Sequence, residues 1–195
     1  MVDRERVSVY GVDESRLIEL ARGGDRAAFE ELVRRHADRL YRVVLRFSVG
    51  PEEAEDITQE AFLRAWRSIG RFRGRSQFFT WLYRIGINEA KRRHERRPPT
   101  GAVTSIEDSP RDAPDWSESP ERRVQQRDTR IVLERAVRTL PFKYRAPLIL
   151  RDVEGLSTAE AAEVMGLREA AFKSRLHRAR LSVRRALDEY FEEET

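Results

Sequence analysis

The chain has 195 residues, with 38 Lys and Arg against 34 Asp and Glu for a formal charge of +4, and it has no cysteine. That length holds one domain or two small ones, and the missing thiols exclude disulfides and thiolate metal sites. No apolar run approaches the ~20 residues of a bilayer span, and the opening MVDRERVSVYG lacks a signal-peptide core, so the sequence reads as a soluble, cytoplasmic chain.

Apolar residues recur at threes and fours and no segment alternates with a period of two, which predicts an all-α fold. Asp13 is placed to cap a short helix, SRLIELARG, that stops at Gly23-Gly24. Asp25 caps a longer one carrying Phe29, Leu32, Val33, His36, Leu40, Val43, Val44 and Phe47 on one side. Gly50-Pro51 ends that pattern and starts a third helix to about Ile69, with Pro51 suited to a first helical position. A basic, aromatic loop, GRFRGRS, leads into a fourth helix within SQFFTWLYRIGINEAKRRHERR.

Charge is segregated along this half. Five acids and no base fall between Pro51 and Glu60, whereas nine bases face two acids from Arg71 to Arg97. On a wheel of ~100° per residue the third helix turns Ala54, Ile57, Ala61 and Ala65 inward and Asp56, Gln59, Glu60 and Leu63 outward. An aliphatic residue among acids on a wet face is a docking signal. On the fourth helix Phe78, Leu82 and Ile85 define the centre of an apolar arc with Trp81 and Gly86 near its sides, Phe79, Tyr83, Ile87 and Ala90 widen it beyond one small core, and Thr80, Arg84, Asn88 and Lys91 form a polar strip expected to track a nucleic-acid strand. The aromatic and arginine loop before it suits unstacked bases, whose stacking is worth ~1 to 3 kcal/mol each.

After Arg97 five of the eight prolines fall between Pro98 and Pro120, with six acids against one base from Thr104 to Glu121, which predicts a flexible linker. Trp116 is its aromatic outlier, expected to dock on a domain or partner. Helical periodicity returns from Val124 and continues to Tyr190. Ser157-Thr158-Ala159-Glu160 fits a capping box, Gly166 breaks the helix, and a second helix resumes near Arg168, the spacing of a helix-turn-helix. On that second helix Phe172, Leu176, Ala179, Val183 and Leu187 face a core, while Lys173, Ser174, His177 and Arg178 are free to read a major groove. His177 has no second ligand at metal spacing, and no cofactor, metal or catalytic constellation is expected.

DRAAFEELVRRHADRLYRV, PEEAEDITQEAFLRAWRSIGRFRG and SQFFTWLYRIGINEAKRR resemble the second conserved region of bacterial RNA polymerase sigma factors, and LPFKYRAPLILRDVEGLSTAEAAEVMGL with FKSRLHRAR resembles the fourth. Two such regions without the others resemble the extracytoplasmic-function subgroup of the sigma-70 family. The resemblance implies a tail at 1–12, a region 2 domain at 13–97, a linker at 98–123 and a region 4 domain at 124–192. It implies that Asp56, Gln59, Glu60 and Leu63 dock on the clamp helices of the largest polymerase subunit. Arg73, Arg75, Ser76 and Gln77 match the loop that captures a flipped base of the minus-ten element, with Thr80, Arg84, Asn88 and Lys91 on the helix beside it. Lys173, Ser174, Arg175, His177 and Arg178 match the helix that reads the minus-thirty-five element. The implied partners are core RNA polymerase, including the flap of its second-largest subunit, promoter DNA as duplex and melted strand, and an anti-sigma factor able to hold the protein near the membrane. The chain departs from the family at Ala161, Ala171 and Phe172 in the helix-turn-helix, and at Phe79 in a position that is often polar and borders the melted-strand site. The competing reading is a stand-alone helix-turn-helix regulator that is not a polymerase subunit.

Overall fold

A computed structural model describes residues 13–74, 76–97 and 120–193, with side chains from 129 to 192 in the last stretch. Among the described residues all regular structure is helical, and the chain divides into two compact units between Arg93 and His94.

The first unit is built on helices α1 (Glu14–Arg22), α2 (Arg26–Leu45), α3 (Pro51–Ser68) and α4 (Phe78–Arg96), with a 3-10 turn at Ile69–Arg71. Its helix starts follow from local chemistry. Asp13 accepts a hydrogen bond from the Ser15 amide at 3.1 Å, Asp25 accepts one from Ala28 at 3.0 Å, and Pro51 occupies the first turn of α3, where its missing donor costs nothing. The core holds Leu17, Leu32, Leu40, Val44, Phe47, Ile57, Phe78 and Leu82, all at most 2% exposed. Helix α4 comes close to α2 at Gly86, where an added Cβ would stand 3.0 Å from Leu40 Cδ1.

The second unit contains α5 (Pro120–Thr139), α6 (Phe142–Leu148), a π turn at Ile149–Val153, α7 (Thr158–Met165) and α8 (Glu169–Glu193). Helix α5 starts at Pro120, within the stretch expected as linker. Proline favours the first helical position, and that local signal outweighs the acidic, proline-rich composition around it. The rest of the linker, with Trp116, and the N-terminal tail lie outside the described residues. Pro147 removes a donor inside α6, and directly after it the chain widens into i→i+5 bonding, with Glu154 N donating to Ile149 O at 2.9 Å. The capping box forms as expected. Ser157 Oγ accepts from the Glu160 amide at 3.2 Å, and the Glu160 carboxylate accepts from the Ser157 amide at 2.9 Å. Gly166 ends α7 with φ +64, a left-handed turn that lets Leu167 N donate back to Ala162 O at 2.9 Å. Helix α8 lies over α5, α6 and α7 and inserts Phe172, Leu176, Ala179 and Val183 into this core, leaving Leu187 half-buried.

Candidate nucleic-acid interface

Three surfaces gather the expected residues, two of them on the first unit. The outward arc of α3 brings Asp56, Gln59 and Leu63 together as exposed side chains, with Leu63 52% exposed at the centre of the arc. Glu60 is half-buried at its edge, held by Arg64 Nε at 2.6 Å, and that hydrogen bond is the main reason its carboxyl titrates below the ordinary range. Asp56 Oδ2 lies 3.2 Å from Arg93 Nη1 of α4.

The second surface is the loop before α4 and the open side of that helix. Phe72 is buried and anchors the loop, its ring centroid 5.1 Å from Trp81 and 5.9 Å from Phe78. Gly74, at φ +65, turns the chain where most residues would be strained. Arg73 and Gln77 are exposed and Ser76 is half-buried, while Arg75 lies outside the described residues. Along α4, Arg84, Asn88 and Lys91 are exposed on one side, as expected.

Thr80 does not join them, for its side chain is 1% exposed. The reason is that α4 is flanked by two helices. Leu40 and Val44 of α2 approach Gly86, and Asp56 and Arg64 of α3 pair with Arg93 and Glu89, so the buried arc covers roughly 200° of the wheel. Thr80 sits at one edge of that arc together with Tyr83, Ile87 and Ala90, all buried. Ile85, expected near the centre of the apolar arc, is displaced to its other edge and half-buried, as is Trp81. Phe79 lies apart from this polar strip. It turns toward α2, where the Arg39 guanidinium lies 4.8 Å over its ring.

The sequence reading missed Glu89. Its side chain is 7% exposed, and Arg64 Nη2 lies 3.1 Å from Oε2, Arg92 Nη2 3.3 Å from Oε2 and Arg93 Nε 3.8 Å from Oε1. The available signal was its spacing of three and four residues to Arg92 and Arg93, which marks a helix-surface ion pair without revealing burial.

The third surface is the outer side of α8. Lys173, Ser174, His177 and Arg178 are exposed and Arg175 is half-buried, so the turn from α7 presents them together on the side opposite Phe172. Arg178 Nη1 donates to the Tyr144 hydroxyl at 3.5 Å, and this bond is the main cause of a lowered tyrosine pKa. On the flank of α8 Arg180 grips Asp152 with two bonds, 2.6 and 3.0 Å, which ties α8 to the π turn and raises the guanidinium pKa. Among the described residues no His, Cys, Asp and Glu cluster could hold a metal ion, and no helix is long and apolar enough to cross a membrane.

A compact all-α unit followed by a capped helix-turn-helix with a cationic outer side defines a protein of the helix-turn-helix class. Comparison with known proteins narrows this. The family model described as Sigma-70 region 2 matches residues 32–98, and that described as Sigma-70, region 4 matches residues 130–183. The RNA polymerase sigma-H factor of Pseudomonas aeruginosa is 38% identical over 181 residues, 89% of this chain and 93% of the relative. The ECF RNA polymerase sigma-E factor of Escherichia coli K12 is 35% identical over 173 residues, 86% of this chain and 90% of that one. Among solved structures, CnrH in complex with the cytosolic domain of CnrY aligns with a TM-score of 0.65 at 26% identity, covering 90% of this chain and 98% of that chain. The chain belongs to the extracytoplasmic-function group of the sigma-70 family and is an RNA polymerase sigma factor.

Proposed function

We propose that the protein binds core RNA polymerase through the α3 arc of Asp56, Gln59, Glu60 and Leu63, and directs the enzyme to paired promoter elements. The clamp helices of the largest subunit take that arc, and the flap of the second-largest subunit takes the second unit. Lys173, Ser174, Arg175, His177 and Arg178 enter the major groove at the upstream element, where cationic and hydroxyl side chains discriminate base edges. Arg73, Ser76, Gln77, Arg84, Asn88 and Lys91, with Arg75 from the same loop, hold the melted strand of the downstream element. Capture of an extruded base offsets its unpairing cost of a few kcal/mol, so opening is driven by binding and the protein itself is not an enzyme. It acts in the cytoplasm, and an anti-sigma partner controls its release.

The observation that carries this reading is the presence of two distinct surfaces on the first unit: an acidic arc centred on exposed Leu63, and a strip of exposed Arg84, Asn88 and Lys91 on the neighbouring helix. A stand-alone regulator has use for α8 but none for the α3 arc. Transcription reconstituted from purified core polymerase and this chain tests it. The wild type should initiate at a defined promoter class, and Asp56→Arg should lower polymerase affinity at least tenfold, about 1.4 kcal/mol, without moving the melting temperature. Tight and selective duplex binding with no response to polymerase would establish the stand-alone regulator in its place.

A further inference from the structure

The functional reading uses the exposed side chains of α3 and α4 and leaves unexplained why a carboxylate lies buried between them. Glu89 is flanked in sequence by Asn88, on the strand-facing strip, and by Ala90 in the core, and it points between the two helices. Three guanidinium groups converge on it, from Arg64 on α3 and from Arg92 and Arg93 on α4. Two of these also hold the acids of the α3 arc: Arg64 pairs with Glu60 at 2.6 Å, and Arg93 pairs with Asp56 at 3.2 Å. The ring of charges therefore runs Glu60, Arg64, Glu89, Arg93, Asp56, with Arg92 as a branch on the side of the helix that also carries Asn88.

We propose that Glu89 is a positioning residue that partitions charge between the two surfaces of the first unit, sharing Arg64 and Arg93 with Glu60 and Asp56 so that neither arc acid is fully neutralised and both keep negative charge for a basic partner groove. The inference rests on the polymerase-binding reading of the α3 arc. Without the central carboxylate each arginine has one anionic neighbour in the ring, and each arc acid is then neutralised by an uncontested guanidinium. The site also gains one positive charge. That charge opposes a cationic partner on α3 and favours phosphate on α4, because Coulomb attraction between partly buried groups is only moderately screened.

Opposite signs on the two surfaces separate this role from simple scaffolding. Full-length Glu89→Gln, which keeps the shape and removes the charge, should bind bacterial core polymerase roughly five- to tenfold more weakly, while a mixed-sequence single-stranded DNA oligonucleotide at low salt binds equally well or more tightly. Arg93→Gln, which frees Asp56, should bind polymerase more tightly than wild type, and the double variant should recover most of the loss. This second variant keeps the test valid if Glu89→Gln fails to fold. Parallel loss of polymerase and DNA binding with a lowered melting temperature would reduce Glu89 to a structural ion pair and overturn the proposal. Unchanged polymerase affinity in Glu89→Gln, or unchanged or weaker affinity in Arg93→Gln, would also overturn it. Failure of the wild type itself to bind polymerase would instead remove the underlying reading.

Discussion

Single side chains already carry separable consequences. His36 on α2 is mostly buried, its Nε2 3.1 Å from Glu14 Oε2 and its ring 5.2 Å from Phe78. Burial disfavours the imidazolium more than the Glu14 carboxylate favours it, so the pKa falls below the ordinary 6.5. The folded state thus binds this proton more weakly than the unfolded chain. Its contribution to stability is complete above 6.5 and is lost as pH falls below that value. Thermal melting of the protein should accordingly weaken between about pH 7 and pH 5, and His36→Gln should flatten that slope. At the other end of the chain, Arg178 stands exposed on α8 with a long contact to the Tyr144 hydroxyl. Arg178→Ala should lower discrimination at the upstream element by about 1 to 3 kcal/mol per lost base contact, measured as the affinity ratio between matched and mismatched duplexes. An unchanged ratio would assign Arg178 to the phosphate backbone or to no contact.

At the scale of elements, legibility in the sequence depended on how wide a buried arc a helix carries. Helix α3 buries the narrower arc, so the wheel placed Ala54, Ile57, Ala61 and Ala65 inside and Asp56, Gln59 and Leu63 outside, with Glu60 half-buried at the edge. The α7 cap was equally readable, since a capping box is complete within four residues. Helix α4 is flanked by two partners, and a wheel drawn for one core misplaces both edges of its buried arc. That is why Thr80 is inside and Ile85 lies at the boundary, beside Trp81. Glu89 escaped because a carboxylate amid arginines looks like a solvated helix surface until tertiary packing closes over it. The tight approach of α4 to α2 yields a direct test. Gly86→Val would drive methyl groups against Leu40 and Val44, and overpacking of this kind costs about 1 to 3 kcal/mol in urea unfolding, with α2 and α4 losing amide protection first.

For the whole molecule, the net charge of +4 says little, because acidic and basic zones nearly cancel in the sum while remaining apart along the chain. The α3 arc assigned to the clamp helices and the α8 residues assigned to the upstream element lie in separate compact units, with Asp56 in one and Arg178 in the other. Effects at distant sites that share no partners usually add within about 0.3 to 0.5 kcal/mol, so losses in initiation caused by Asp56→Arg and Arg178→Ala should multiply in the double variant. Initiation assays at subsaturating polymerase would detect a departure from that product and expose communication between the units. The bidentate grip of Arg180 on Asp152, together with the buried Phe172 and Ala179, fixes α8 against its unit using residues other than Lys173, Ser174, His177 and Arg178. Residues such as Ser174 and His177 are therefore free to be exchanged at little thermodynamic cost, and descendants of this gene could acquire new regulatory targets while inheriting an unaltered frame.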